Sequence, residues 1–294
     1  MGDADPAMHP GSSPKPELTV LEVLRRAAAY LETHGSGSAR LDAEVLLAHS
    51  LGKRRLDLYL EFDRRLTERE LQPYRELTAR RGKGEPVAYL TGRKEFMGLE
   101  LEVTPAVLVP NPDTEVLVQR AVAWLRDRGG ELTAADVGTG SGCVAVAVAH
   151  YAPGVTVFAS DLSPEALAVA GRNLARHGLQ ERVRLLEGDL LDPLPAGLDL
   201  ICANLPYVAR DTQLAPDVMA QPAMALYAGP RGGELVIRLL EQAPAKLRPG
   251  GAVLAEVDPL IAEQVEAVAA GLYSGCRLHR DLQGMDRLLE AWIS

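Results

Sequence analysis

Apolar positions in the first quarter of the chain recur with a helical period. Leu21, Leu24, Ala28 and Leu31 fall on one face of a first helix, and Leu41, Val45, Leu46 and Ala48 continue the period in a second. An apolar turn follows around residues 56–60. Thr67-Glu68-Arg69-Glu70 has the form of a capping box, so a further helix is expected to run toward Arg81 with Leu71, Tyr74 and Thr78 inward. The pattern predicts a small helical bundle over 17–84. Its paired charges, Arg54-Arg55, Arg64-Arg65 and Arg80-Arg81, read most simply as solvated faces. Residues 1–16 carry four prolines with Gly and Ser and almost no apolar anchors, the composition of a disordered tail.

Beyond residue 84 the period changes. The stretch 96–103 alternates apolar and polar residues, and Pro105 and Pro110 punctuate the next segment, so a β-hairpin linker is expected over 85–111. From residue 112 to 294 helical and extended patterns alternate. Helices are expected at 113–128, 142–150, 165–177, 234–247 and 260–270. Strands are expected at 133–137, 155–160, 183–187, 198–203 and 252–257, with two closing strands near Arg277 and at 287–292. Such alternation with short connections predicts an α/β domain with a doubly wound, mainly parallel sheet, and the closing pair suggests an antiparallel edge.

Composition narrows the class. With 47% hydrophobic and 24% charged residues in 294, the chain can build cores and is not mostly disordered. It holds no apolar run long enough to cross a bilayer and no signal-peptide pattern at its start, so a cytoplasmic protein that does not engage membranes is expected. The three cysteines, Cys143, Cys202 and Cys276, lie far apart and suggest buried thiols; no thiolate or histidine spacing points to a metal. Of the net charge of −9, nearly all lies after residue 110, where 15 Lys and Arg face 23 Asp and Glu. Direct nucleic-acid binding is therefore not expected.

The chemistry gathers at predicted strand ends. Asp136-Val137-Gly138-Thr139-Gly140-Ser141-Gly142 joins the first strand to the next helix, where glycines let a ligand approach the backbone at a helix N-terminus. It lacks the lysine of a P-loop, and its glycine spacing differs from the dinucleotide fingerprint. An acid before the glycines suits a ligand carrying an ammonium group, such as the methionine part of S-adenosylmethionine; the alternative is a tight turn without a ligand. Asp161 ends the second strand where a carboxylate can accept from both ribose hydroxyls, although an N-cap role is the alternative. Asp189 could accept from an adenine amine while Leu190 packs on the ring, or be an ordinary loop aspartate.

Directly after the fourth strand's apolar run comes Asn204-Leu205-Pro206-Tyr207. This resembles the N-P-P-Y motif of methyltransferases that act on planar amino or amide nitrogens. The segments 85–92 (Glu-Pro-Val-Ala-Tyr-Leu-Thr-Gly) and Pro110-Asn111-Pro112-Asp113-Thr114-Glu115 resemble the E-P-x-x-Y-L-x-G and P-R-P-[DE]-T-E signatures of the HemK/PrmC family, the glutamine N5-methyltransferases of peptide chain release factors. The likeness runs from about Leu18 to Trp292 and includes Asp42-Ala43-Glu44, Arg280-Asp281 and Asp286-Arg287.

The resemblance implies a class I methyltransferase-like fold and transfer of a methyl group from S-adenosylmethionine to the glutamine of the Gly-Gly-Gln motif. The expected cofactor residues are Asp136, Gly138, Thr139, Gly140, Ser141, Gly142, Asp161, Asp189, Leu190 and Asn204. Asn204, Pro206 and Tyr207 are expected to be catalytic, and Asn204, Leu205, Pro206 and Tyr207 to hold the substrate amide. The Asn204 side-chain oxygen and the Leu205 carbonyl would each accept an N–H, Tyr207 would pack on the amide plane, and Pro206 would fix the turn. The helical bundle would recognise the protein substrate, and the enzyme would act as a monomer. Two positions depart from the family pattern: Leu205 replaces a proline and loses its fixed φ, and Asn111 replaces an arginine. The alternatives are glutamine methylation on a ribosomal protein, amino-methylation of a nucleic-acid base, and a silent adaptor that kept the fold.

Overall fold

The computed structural model describes residues 17–281 and 283–294, so the expected tail at 1–16 lies outside the described residues. The chain forms two compact units, one ending at Leu90 and the other starting at Thr91.

In the first unit, β1 (Leu18–Thr19) pairs with β2 (Arg65–Leu66) beside α1 (Val20–Thr33), α2 (Ala39–Ser50), α3 (Arg55–Leu60), α4 (Glu68–Arg81) and the short α5 (Val87–Thr91). Thr67 caps α4 through Glu70, and Leu71, Tyr74 and Thr78 are its buried positions. The α1 face is rotated from the expected one. Thr19 and Glu22 form a capping box that starts the helix at Val20, and the buried residues are Val20, Val23, Leu24, Ala27 and Leu31. In α2 the buried face runs through Ala43, Leu46, Leu47 and Ala48, while Leu41 is exposed. The expected turn at 56–60 is the helix α3, which buries only Leu58.

Arg81 is not on a solvated face. Its Nε donates to Asp42 Oδ2 at 2.7 Å with only 9% of each side chain exposed, and Ser36 and Ser38 hydroxyls donate to the same carboxylate at 2.7 and 2.9 Å. Three donors on one buried acid offset its desolvation, which a lone charge there could not do.

The second unit opens with the hairpin β3 (Arg93–Phe96) and β4 (Leu99–Glu102), whose turn residues Met97 and Gly98 both have positive φ. Buried Asn173 pins it, accepting from Glu102 N and donating to the Glu102 carbonyl at 2.7 and 2.9 Å. Then follow α6 (Glu115–Arg128), β5 (Leu132–Val137), α7 (Cys143–Tyr151), β6 (Val155–Asp161), α8 (Pro164–Arg176), β7 (Val183–Glu187), β8 (Leu198–Ala203), β9 (Val208–Ala209), α9 (Pro216–Met219), α10 (Ala223–Leu226), β10 (Tyr227–Gly229), α11 (Glu234–Gln242), β11 (Leu247–Glu256), α12 (Pro259–Leu272), β12 (Gly275–Arg280) and β13 (Asp286–Trp292). The helix expected over 234–247 ends at Gln242 and passes into a 3-10 turn containing Pro244, which has no N–H for the α-helical ladder.

The main sheet has seven strands in the order β12-β13-β11-β8-β5-β6-β7. β11, β8, β5, β6 and β7 are parallel, and β13 is antiparallel to both of its neighbours. This is the doubly wound, mainly parallel sheet that the alternating pattern predicts. One apolar core lies under α6 and α7 and the other under α11 and α12. Strand side chains alternate between them: Ala134, Cys202 and Leu254 enter the first core, while Val137, Ala203 and Ala255 enter the second. The strand order reverses at β5, so its carboxyl end and that of β8 flank the crevice where parallel sheets bind ligands. Among the described residues, no helix is long and apolar enough to cross a membrane.

Candidate active site

The turn after β5 places three left-handed glycines at alternate positions, with φ of 71° at Gly138, 55° at Gly140 and 80° at Gly142. An L side chain is strained in that region, and two of these glycines also meet close neighbours. A Cβ on Gly138 would stand 2.8 Å from Leu205 Cδ2, and one on Gly142 would stand 3.1 Å from Ala170 Cβ. Gly142 therefore serves the packing of α7 against α8. It is the one member of the expected cofactor set that does not line the crevice.

That crevice is a cavity of about 320 Å³. Asp136, Asp161 and Asp189 all line it, together with Gly138, Thr139, Gly140, Ser141, Leu190 and Asn204. Asp136 is buried, and its Oδ2 accepts from Thr139 Oγ1 at 2.6 Å and from Ala145 N at 3.0 Å. Burial pushes its carboxyl up to about 6 against those two bonds, and the nearby Asp161 charge adds to the rise. Asp161 accepts from Gly140 N through Oδ2 at 2.8 Å and from Ser163 N through Oδ1 at 2.9 Å, while Ser163 caps α8. Asp189 is half exposed and its Oδ1 pairs with Arg238. Leu190 takes a positive φ of 47°, and Ser160 Oγ donates to its carbonyl at 2.9 Å. Of the cysteines, Cys202 is buried, whereas Cys143 and Cys276 are only partly covered.

A second cavity of about 510 Å³ adjoins the first. Asn204, Leu205 and Pro206 line both, whereas Tyr207 lines only the second. The Asn204 amide donates from Nδ2 to Thr114 Oγ1 at 2.8 Å. Leu205 is buried in the core under α11 and rests against Gly138, so burial anchors the loop where a proline ring would have restricted φ. Asn111 accepts from Asp113 N at 3.2 Å and caps the 3-10 turn that leads into α6.

Two family models match the sequence: the PrmC N-terminal domain over residues 22–92 and the methyltransferase small domain over residues 113–246. A release factor glutamine methyltransferase of Moorella thermoacetica is 39% identical over 94% of this chain and 99% of its own length. The chain belongs to the release factor glutamine methyltransferase family. Its relative of the same name in Rhodopirellula baltica is 40% identical over 92% of this chain and 95% of its own length. A methyltransferase structure from Pyrococcus furiosus, 23% identical, covers 73% of this chain and 96% of its own with a TM-score of 0.52, a likeness of fold.

Within this family member, two polar residues beside Asn204 escape sequence reasoning. Thr114 is buried at the start of α6, and Glu256, at the end of β11, is 1% exposed. Burial pushes the Glu256 carboxyl up to about 7 and outweighs the Thr114 hydroxyl, Arg287 and the Tyr207 hydroxyl, which lower it, while Asp113 adds to the rise. Burial also raises the Tyr207 phenol well above its usual range. Thr114 reads in sequence as a helix-start residue. The polar Glu256 closing an apolar strand run is the available signal for the other.

Proposed function

We propose that this enzyme transfers a methyl group from S-adenosylmethionine to the side-chain nitrogen of the glutamine in the Gly-Gly-Gln motif of peptide chain release factors. The observation that carries the reading is the wall of Asn204, Leu205 and Pro206 shared by two cavities, one of them lined by the three strand-end acids. A group held by those acids and a planar amide in the second cavity would meet at that wall. The named relatives support a release factor as substrate.

The acids suit the cofactor by their bonding. Each carboxylate oxygen accepts two hydrogen bonds, so Asp161 keeps one site on each oxygen for a ribose hydroxyl after its bonds to Gly140 and Ser163. Asp136 spends Oδ2 on Thr139 and Ala145, which leaves Oδ1 for an ammonium group. Asp189 keeps Oδ2 for an adenine amine beside its pair with Arg238. S-adenosylmethionine, when bound, supplies an electrophilic sulfonium methyl.

A glutamine amide nitrogen is a poor nucleophile because its lone pair is delocalised. With Nδ2 committed to Thr114, Asn204 can turn Oδ1 to an amide N–H, and the Leu205 carbonyl can accept the other. Both acceptors gain strength as positive charge grows on nitrogen, and preorganised partners of this kind are worth about 3 kcal/mol each. Positioning supplies more. The nitrogen proton becomes strongly acidic once the methyl has arrived, so water can take it and no dedicated base is required. Tyr207, on the second-cavity side, would pack its ring on the amide.

A glutamine amide occurs in every protein, so discrimination has to come from surface away from the chemistry. The helical unit is the part assigned to that recognition. A chain beginning at Glu85 is expected to bind the cofactor and to lose most methylation of an intact release factor; full activity would reduce the helical unit to a stabilising role. The reading itself is tested by offering the full-length protein radiolabelled S-adenosylmethionine with release factor, ribosomal protein or RNA in separate reactions. Label in the release factor is expected, and label in RNA alone would reject it.

A further inference from the structure

Asp136, Asn204 and Glu256 stand at the carboxyl ends of the neighbouring strands β5, β8 and β11. By strand alternation all three project to the face covered by α6 and α7. The first two are hydrogen-bonded inward. Glu256 is as buried as Asp136, yet neither Oε1 nor Oε2 has a hydrogen-bond partner within bonding geometry. Buried polar groups are rarely left so, and the groups around this carboxyl show what it faces. The hydroxyls of Thr114 and Tyr207 act on it, as do Arg287 and Asp113; on the α7 side, the Cys143 thiol responds to its charge.

Thr114, whose hydroxyl lowers the Glu256 carboxyl, also meets Asn204. Its Oγ1 accepts from Asn204 Nδ2 at 2.8 Å, so its single proton must point elsewhere. We propose that Glu256 is a positioning residue: a small side-chain rotation lets its carboxylate accept a hydrogen bond from the Thr114 hydroxyl, which fixes Thr114 as an acceptor toward Asn204 and holds the Asn204 amide with Nδ2 inward and Oδ1 toward the substrate. This rests on the reading above, in which Asn204 Oδ1 accepts a glutamine N–H.

An asparagine amide has nearly the same shape either way round. A threonine hydroxyl can donate to Oδ1 as readily as it can accept from Nδ2, so Thr114 alone cannot decide which end of Asn204 faces the substrate. A flipped Asn204 would present N–H to N–H. An ionised carboxylate can only accept, and that removes the ambiguity. The neutral acid holds the hydroxyl proton less firmly, so the lock tightens as pH rises through about 7.

The chain contains only three asparagines, Asn111, Asn173 and Asn204, so selective ¹⁵N-asparagine labelling of the full-length protein yields three side-chain amide signals. The Asn204 signal is assigned by its loss in Asn204→Ala. It is expected to titrate near pH 7, and to stop doing so in Glu256→Gln and in Thr114→Val but not in Thr114→Ser. Asp136 titrates nearby but is untouched in these variants, so it cannot account for the loss. With release factor as substrate, Glu256→Gln is expected to lower kcat about tenfold, flatten its rise through pH 7 and leave cofactor affinity unchanged, with no further loss in the Thr114→Val background.

An Asn204 signal indifferent to pH, or one titrating unchanged in Glu256→Gln or Thr114→Val, would overturn the proposal. So would losses from the two substitutions that simply multiply. Should Glu256→Gln fail to fold, Thr114→Val decides by the same signal. The spectrum needs no substrate: a protein that titrates as expected yet leaves the release factor unmethylated would reject the substrate reading and not the lock.

Discussion

The two halves of the sheet's carboxyl edge treat their polar side chains in opposite ways. At the ends of β5 and β6, Asp136 and Asp161 are each satisfied by two donors from the glycine turn, the first turn of α7 or the α8 cap. At the ends of β8 and β11, Asn204 has a single side-chain partner and Glu256 has none in bonding geometry. The first half is a fixed cradle made largely of backbone N–H groups, which do not titrate. The second is made of side chains whose polarity depends on one another. Holding a ligand requires only the first arrangement; aiming an acceptor at a developing charge requires the second.

On that contrast the largest effect belongs to Glu256. Its native carboxyl lies near 7, above the unfolded value of 4.5. Its stabilising contribution is therefore full below pH 4.5 and is lost as pH rises to about 7. In Glu256→Gln that loss disappears, so between pH 4 and pH 8 the stability of the variant relative to the parent should rise by about 3 kcal/mol, read by denaturant unfolding at each pH. A constant difference across that range would place an ordinary carboxyl there.

Asn204→Ala should lower methyl transfer by about 10²-fold or more while cofactor affinity stays nearly intact, because it removes an interaction that strengthens only as charge develops. Turnover within a few-fold of the parent, in single-turnover assays, would break the assignment. Asp161→Ala should do the reverse, weakening cofactor binding in direct titration by about tenfold or more through lost charge-assisted bonds. A pure turnover defect would refute a ribose-binding role.

The smallest effect sharpens where the halves meet. Gly138→Ala places a methyl 2.8 Å from Leu205 Cδ2 at a φ of 71°, and should cost about 1–2 kcal/mol of stability while disturbing both cofactor affinity and turnover. An effect on affinity alone would separate the two halves.

The two halves also differ in how readable they are. The cradle is written contiguously: an apolar strand, an acid, then glycines at alternate positions, so local chemistry marks it before any fold is known. Gly142 is the instructive exception, since the same left-handed turn serves helix packing there and only the neighbouring Ala170 reveals it. In the other half the partners come from distant segments. Thr114 reads as the start of a helix, and nothing local indicates that its hydroxyl meets Asn204. The first unit repeats the lesson: Arg81 looks like half of a solvated pair until the fold brings Asp42 against it. The α1 face departs from its expected position for a different reason, because the Thr19–Glu22 box that sets the helix start is present in the sequence and fixes Val20, not Leu21, as inward.

The central claim, that the wall of Asn204, Leu205 and Pro206 presents a glutamine amide to a methyl donor held by the strand-end acids, is tested most directly by locating the transferred methyl. Full-length protein, S-adenosylmethionine and an intact release factor are incubated together, and the factor's peptides are sequenced by tandem mass spectrometry. The account predicts one added methyl, on the side-chain nitrogen of the Gly-Gly-Gln glutamine. A methyl on any other residue, or an unmodified factor from a protein shown to bind the cofactor, would contradict it.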